Sequence, residues 1–359
     1  MGEKSRRLCA LLEKRGAEAA LLGRRDSFAW FTGGASNHVM QASDLGAASL
    51  LVSRDRRWVI CDSIEAPRIM GEELEGRDFE LASFPWYAGS VAEAAGKLVA
   101  GKIISDTGVG GTENALEDLA RLRWELTPAE IERYARVGEI VSAALAQAAH
   151  RVRRGMSEHE IAGLISLPLI EQGVQPTVLL VAVDGRIDRY RHPIPTTARL
   201  EKRAMLVACG RKWGLIVSAT RMVNIGPVSG EIRRRHDAVV RVDEAYITNT
   251  VPGRSAAEVF AAGVRIYEET GFPDEWKLHH QGGPTGYVGR DFRASASTTQ
   301  PVLEHQAFAW NPSITGTKSE DTMIATAQGP LMVSRPVNYP TLTLGGSGRE
   351  LIKTDILVL

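Results

Sequence analysis

The chain has 359 residues, which is enough for two domains with separate hydrophobic cores. Its hydrophobic content of 44% and charged content of 24% are typical of a globular protein. The 43 basic and 43 acidic residues cancel, which argues against a nucleic-acid or anionic-membrane partner, and no apolar stretch approaches the roughly 18–20 residues of a membrane-spanning helix. Three cysteines without a paired spacing, and an amino-terminal segment that is soon charged again, predict a cytoplasmic protein without disulfides.

The first part of the chain alternates helical and strand patterns. Residues 4–16 have the apolar spacing of an amphipathic helix, and residues 63–71 are predicted to form a short helix with Ser63 as its N-cap. Three short apolar runs predict buried strands: Ala19–Leu22, Ala47–Val52 and Trp58–Cys61. These elements indicate an α/β domain over residues 1–122, followed by a second domain over residues 123–359.

The second domain contains one helix-start signature twice. Residues 155–160 (GMSEHE) are predicted to begin a helix that ends near Gly173. Residues 253–258 (GRSAAE), at an offset of 98 positions, are predicted to begin another that ends near Gly271. In both segments the serine and glutamate have the spacing of a capping box. The repetition indicates a duplicated α+β unit whose two halves enclose a cleft.

Several segments, in order along the chain, match motifs of one protein superfamily. They are Asp26-Ser-Phe-Ala-Trp-Phe-Thr-Gly33, Leu126-Thr-Pro-Ala-Glu-Ile-Glu-Arg133, Arg154-Gly-Met-Ser-Glu158, Gly214-Leu-Ile-Val-Ser218-Ala-Thr220-Arg221, Asn311-Pro312 and Ser319-Glu-Asp-Thr322. Over nearly its whole length the chain resembles the creatinase / aminopeptidase P / methionine aminopeptidase superfamily. The resemblance implies a creatinase-like α/β N-terminal domain, an α+β pita-bread domain with an internal pseudo-twofold duplication, and a homodimer.

In metal-dependent members of this superfamily, two aspartates, one histidine and two glutamates hold two divalent cations. The resemblance places four of these five ligand positions on other residues, namely Ala208, Ser218, Gly283 and Asn311. Only Glu320 is retained, and no acidic residue occurs between Lys202 and Gly230 that a shifted alignment could use. Because hard divalent cations need several carboxylate oxygens, the sequence predicts that the chain uses no metal and no other cofactor.

The resemblance also implies catalytic groups that need no metal. His192 matches the family histidine beside the scissile bond and is assigned as the acid–base group. Glu320 is assigned to orient it or to act as a second acid–base, and Asn311 to stabilise an oxyanion. Arg290 resembles the creatinase arginine that binds the substrate carboxylate. The alternatives are a structural role for His192 and ion pairs that occupy Arg290 and Glu320.

Five further residues are assigned to the substrate pocket: His279, His280, Tyr287, Trp310 and Arg221. The aromatic side chains are equally compatible with core packing, the histidines with a polar loop, and Arg221 with a structural role. Cys209 adjoins a lost ligand position and is considered as a nucleophile, although a small apolar cysteine in a buried strand is commoner.

These observations favour a metal-independent hydrolase. Its substrate is predicted to be a small carboxylate-bearing molecule, and the bond broken a C–N bond of an amide, lactam, imide or ureido group. Three alternatives stay open. They are a non-catalytic pita-bread protein that binds a ligand or partner, a lyase that uses the same histidine, and an Xaa-Pro-type metallopeptidase with rearranged ligands.

Overall fold

The computed structural model describes residues 2–345 and 350–359. The chain divides after Thr127 into two units. The helices of the first unit are α1 (Glu3–Arg15), α2 (Arg25–Thr32), α3 (Ala66–Arg68), α4 (Val91–Leu98) and α5 (Leu116–Arg121). Its strands are β1 (Ala19–Arg24), β2 (Leu45–Ser53), β3 (Arg57–Asp62), β4 (Glu80–Phe84), β5 (Ile103–Ser105) and β6 (Glu113–Asn114).

The strands of the first unit form one mixed sheet in the order β4-β3-β2-β1-β5-β6. Both faces of this sheet are covered. Successive side chains of a strand point to opposite faces, so neighbouring residues of β1 belong to two different cores. On β1, Ala20 and Leu22 pack in a core with Leu8 of α1, whereas Ala19 and Leu21 pack in a second core with Ala95 of α4. The predicted α/β domain is therefore confirmed, with an apolar strand buried on both faces.

The predicted helix over residues 63–71 is wrong in its start. The carboxylate of Asp62 accepts the backbone N–H groups of Ile64 and Glu65, which forms a turn over these residues. Helical structure begins only at Ala66 and continues as a π-helix over Ile69–Glu73. An aspartate that bonds the backbone two residues onward competes with helix formation, so Ser63 is not the N-cap.

The second unit is also α and β mixed. Its helices are α6 (Pro128–Arg151), α7 (Glu158–Glu171), α8 (Gly185–Arg189), α9 (Gly230–Asn249) and α10 (Ala256–Glu269). Its first strands are β7 (Gln175–Val183), β8 (Arg203–Lys212), β9 (Leu215–Asn224), β10 (Gly282–Thr285) and β11 (Ala307–Trp310). The remaining strands are β12 (Ser313–Ile314), β13 (Thr317–Lys318), β14 (Asp321–Ile324), β15 (Leu331–Met332), β16 (Thr341–Leu344), β17 (Leu351–Thr354) and β18 (Leu357–Val358).

Both predicted capping boxes are present. Ser157 accepts the N–H of Glu160 while the Glu160 carboxylate accepts the N–H of Ser157, and Ser255 and Glu258 make the same pair of bonds. The same order of elements occurs twice: two helices (α6 and α7, α9 and α10), then three antiparallel strands (β7-β8-β9, β10-β11-β14) that belong to a four-stranded sheet. The predicted duplicated pita-bread domain is therefore confirmed.

In each half of the second unit, the connection between the first and second strands carries one of the predicted site residues. His192 lies between α8 and β8, and Arg290 lies between β10 and β11.

Within residues 2–345 and 350–359, none of the helices carries an apolar stretch long enough to span a bilayer.

Gly263 lies where α10 packs against the ring of Tyr246 on α9. A Cβ added there would lie 2.2 Å from ring atoms of the buried Tyr246, so Gly263→Ala is expected to destabilise the protein by about 1–3 kcal/mol through overpacking. Gly163 of α7 faces open space, so Gly163→Ala is expected to stabilise by up to about 1 kcal/mol. Chemical denaturation of both variants checks this; equal effects would contradict the packing described.

Candidate functional site

Three histidines form a cluster in the second unit. Nε2 of His279 lies 3.0 Å from Nε2 of His192, and the ring of His280 is centred 4.4 Å from that of His279 and 5.8 Å from that of His192. His192 is exposed, His280 is half-buried and His279 is buried. The structure thus brings together three residues that the sequence assigned to catalysis and to substrate binding.

Neighbouring side chains fix the two segments that carry these histidines. Arg191 donates to the carboxylate of Glu275 at 2.7 Å and to Thr315, which ties the His192 loop to the short helix Glu275–Leu278 that precedes His279. The buried amide of Gln281 donates to the carbonyl of His279 at 2.6 Å and accepts from the hydroxyl of Tyr267 at 2.9 Å. Both loops are therefore held by charged or buried hydrogen bonds.

All three imidazoles are held in their neutral form at neutral pH. Burial lowers the pKa of His279 to about 2 and that of His280 to about 4, and the charges of Lys318 and Arg290 act in the same direction. Burial and the Lys318 ammonium also lower the pKa of His192, against the opposing charge of Glu320. A neutral imidazole has a free nitrogen lone pair that can accept a proton or a metal ion, although the cationic surroundings weaken its basicity.

Glu320, the one retained ligand of the family pattern, is paired with cations. The ammonium of Lys318 lies 2.9 Å from its Oε2, which also accepts the Thr220 hydroxyl at 2.7 Å. The guanidinium of Arg290 lies 3.6 Å from its Oε1. Burial opposes ionisation of Glu320, but Lys318 and Arg290 outweigh it and hold its pKa below the usual range. Both oxygens of the carboxylate therefore face positive groups.

The residues at the family's metal-ligand positions do not fit two divalent cations. Cys209 and Ser218 are cross-strand partners on β8 and β9, as are Ala208 and Ala219, so this place in the sheet offers no carboxylate. A Cβ at Gly283 would lie 2.4 Å from the Phe292 carbonyl oxygen, which leaves no room for a ligand side chain. With the remaining carboxylate bound by Lys318 and Arg290, the donor set lacks the oxygens that hard cations need.

Asn311 is tied to the segment that carries His279 and His280. Its backbone N–H donates to the carbonyl of Gln281 at 3.0 Å, and its side chain is buried. Its Oδ1 has no hydrogen-bond partner in the described part of the chain. A buried amide with an unpaired atom is unfavourable unless another group completes it, so Asn311 has a hydrogen-bonding atom available for a bound molecule.

Three residues that the sequence assigned to the substrate pocket are instead structural. Trp310 is fully buried and stacks on Tyr246 with ring centroids 4.7 Å apart. Tyr287 is buried and its hydroxyl donates to the Glu130 carboxylate at 2.5 Å. Arg221 is buried and donates to Asp321 at 3.2 Å. These contacts favour the structural alternatives for the three residues, because the pattern of a motif does not show which of its side chains the tertiary fold buries.

Cys209 is unsuited to act as a nucleophile. Its thiol lies 3.1 Å from the hydroxyl of Ser218, and burial together with the charge of Glu320 raises its pKa to about 11. Thiolate is the reactive form of cysteine, and at neutral pH it is scarce here. The alternative interpretation of Cys209, a small side chain in a buried strand, agrees with its position on β8.

Lys318 is the site residue that the sequence analysis missed. Its side chain is only 4% exposed, and its ammonium contacts the carboxylate of Glu320. The available signal was its position two residues before Glu320 in an extended segment, because residues at i and i+2 point to the same side. A lysine is rarely buried unless it is paired, and the sequence does not reveal burial.

Comparison with known proteins agrees with this fold. The model of metallopeptidase family M24 matches residues 132–327, more than half of the chain. An Xaa-Pro dipeptidase from Bacillus anthracis is similar in structure, with a TM-score of 0.79, 19% identity and 99% coverage of both chains. The prolidase of Pyrococcus horikoshii OT3 gives a TM-score of 0.78 at 17% identity, with coverage of 94% of this chain and 99% of that one.

A protein that is not named as a peptidase has a similar fold. The N-terminal domain of the FACT complex subunit SPT16 from Cicer arietinum gives a TM-score of 0.69 at 11% identity, covering 93% of this chain and 96% of that one. No curated protein sequence matches the chain. The family match and the duplicated second unit together identify the chain as a member of metallopeptidase family M24.

Proposed function

We propose that the chain is a metal-independent hydrolase that cleaves a C–N bond of a small, carboxylate-bearing substrate. The observation that carries this proposal is the environment of Glu320, whose carboxylate is paired with Lys318 and Arg290. Positive side chains occupy the surroundings of a family metal ligand, and a neutral histidine cluster adjoins them. The site therefore offers fixed positive charge and proton transfer without a bound ion.

The charge of the site favours an anionic substrate. Lys318, Arg290 and Arg293 all act electrostatically on the histidine cluster, and Glu320 is the acidic group that acts on His192. The excess of cations attracts a carboxylate, and the planar guanidinium of Arg290 suits a bidentate contact with it. An amide, lactam, imide or ureido acid carries both the carboxylate and the bond to be cleaved.

The proposed reaction uses His192 as the acid–base group. The imidazole takes a proton from water while the water oxygen attacks the carbonyl carbon of the C–N bond. Lys318 and the amide of Asn311 stabilise the negative charge that develops on the carbonyl oxygen. The C–N bond then breaks as His192 gives its proton to the leaving nitrogen, so atoms and protons balance.

The test is hydrolysis of a panel of N-acyl amino acids, cyclic imides, lactams and ureido acids by the full chain, with a strong chelator present. We expect turnover of at least one class, undiminished by the chelator. A chain that hydrolyses none of them but is stabilised against heat by one would be a binding protein instead.

A second candidate is an Xaa-Pro dipeptidase, which the structural similarity to prolidases supports. That activity in a metal-dependent form requires ligands that Ala208, Ser218, Gly283 and Asn311 do not provide. Xaa-Pro dipeptides assayed with added Mn²⁺ or Co²⁺ separate the two candidates. Cleavage that depends on the added ion would favour the second.

Arg290 is expected to determine substrate affinity. Arg290→Met should raise KM about 30-fold, equivalent to ~2 kcal/mol, with a smaller change in kcat, because the carboxylate loses a charged hydrogen-bond partner far from the reacting bond. Arg290→Lys should recover part of the loss, since charge returns without the bidentate geometry. Arg234→Met, at an exposed arginine of α9, is the control. An unchanged KM in Arg290→Met would refute the assignment.

A further inference from the structure

We infer that His192, His279 and His280 form a binding site for one transition-metal ion of the zinc class, built from imidazoles rather than from the carboxylates that the family uses. One nitrogen from each ring lies within 4.8 Å of the other two. Binding here does not depend on the proposed function. Its consequence does, because an ion bound to His192 would withdraw that residue from proton transfer and inhibit hydrolysis.

The distances suit coordination after a small movement. Two imidazole nitrogens bound to the same zinc at about 2.1 Å are separated by roughly 3.3 Å. The Nε2 atoms of His192 and His279 are 3.0 Å apart, so an ion could replace the proton that they now share. The third nitrogen, from His280, must come closer to complete the site, and the exposed side chain of His192 has room to adjust with it.

An unpaired atom in the cluster supports a ligand. Nδ1 of His280 is buried and has no hydrogen-bond partner among residues 2–345 and 350–359. His279 is itself 91% buried, with 9% of its surface exposed. Buried polar atoms are usually paired, so the unpaired nitrogen of His280, in a group of three imidazoles, indicates a missing partner. Because the rings are already neutral, little proton release opposes coordination.

The site selects its metal by ligand type. Imidazole favours Zn²⁺, Cu²⁺, Ni²⁺ and Co²⁺ over Mg²⁺, Ca²⁺ or Mn²⁺, which prefer oxygen. Three histidines leave a fourth tetrahedral position open for water. The neighbouring cations Lys318, Arg290 and Arg293 weaken the binding of a positive ion, so we expect reversible occupancy rather than a permanently bound metal.

The test measures binding of Zn²⁺ alone to the full chain by competition with a chromophoric chelator, and of Co²⁺ by its visible absorption. We expect one ion per chain and a loss of affinity of at least about tenfold in each of His192→Ala, His279→Ala and His280→Ala. His159→Ala, at an exposed histidine of α7, should bind as the parent does. The exposed position of His192 keeps one variant informative even if the buried ones fold poorly.

Absence of stoichiometric binding, or equal affinity in the parent and His192→Ala, would overturn the site. An activity measurement separates this inference from the proposed function. Loss of hydrolysis on addition of Zn²⁺, restored by a chelator, is the expected result. Hydrolysis that instead rises with Zn²⁺ would refute both metal independence and inhibition while leaving the binding site in place.

Discussion

Replacement of His192 by alanine is expected to lower kcat by about 10²–10⁴-fold, the usual contribution of a general acid–base group. The imidazole is exposed and hydrogen-bonds the ring of His279, so its removal is expected to leave the hydrophobic core intact. The melting temperature should therefore remain near that of the parent. Turnover of the best substrate and thermal unfolding, measured on the same preparation, check both parts.

The matched control is His159→Ala, which removes an exposed histidine from the same unit and should leave kcat unchanged. Equal activity of the parent and His192→Ala would remove the acid–base role. A loss of activity accompanied by unfolding would mean that His192 is structural, which is the alternative that the sequence left open. His192→Gln retains hydrogen bonding without proton transfer and should be as inactive as the alanine variant.

Replacement of Lys353 by methionine is expected to destabilise the protein by about 3–5 kcal/mol. Lys353 is fully buried on β17, and its ammonium lies 2.7 Å from the carboxylate of Asp243 and 2.5 Å from that of Asp321. Burial lowers the pKa of this lysine, but the two carboxylates outweigh that effect and raise it. Without the ammonium, two neighbouring buried carboxylates lose a positive charge that offsets their own. The expected loss of folding stability is therefore large.

The control is Lys277→Met, which breaks an exposed ion pair with Asp274 and should cost less than about 1 kcal/mol. Denaturant midpoints of both variants give the comparison. Similar small losses would show that the buried network is not important for stability. Because Asp321 adjoins Glu320 in the chain, activity of Lys353→Met also reports whether this network supports the site.

Local chemistry explains what the sequence could predict of the fold. A capping box is specified by residues three positions apart, so Ser157 with Glu160 and Ser255 with Glu258 were found correctly. Strand predictions succeeded where apolar runs such as Ala19–Leu22 are buried on both faces. The N-cap at Ser63 failed because the neighbouring Asp62 offered the backbone a competing acceptor.

Tertiary burial explains what the sequence could not predict of the site. Trp310 and Tyr287 adjoin functional motifs, yet their side chains point into the core. Lys318 was overlooked because only the folded chain places its ammonium against Glu320. The approach of His279 to His192 likewise joins residues far apart in the chain, and no spacing rule specifies that contact.

We propose that a cationic site around Glu320 replaces the carboxylate metal centre of the family. Titration of the purified chain with Mn²⁺, followed by electron paramagnetic resonance, tests this most directly, because Mn²⁺ prefers oxygen ligands and discriminates against the histidine cluster. We predict that the ion remains free at concentrations that saturate a carboxylate centre. Binding of two Mn²⁺ ions per chain, abolished by Glu320→Gln, would contradict the claim.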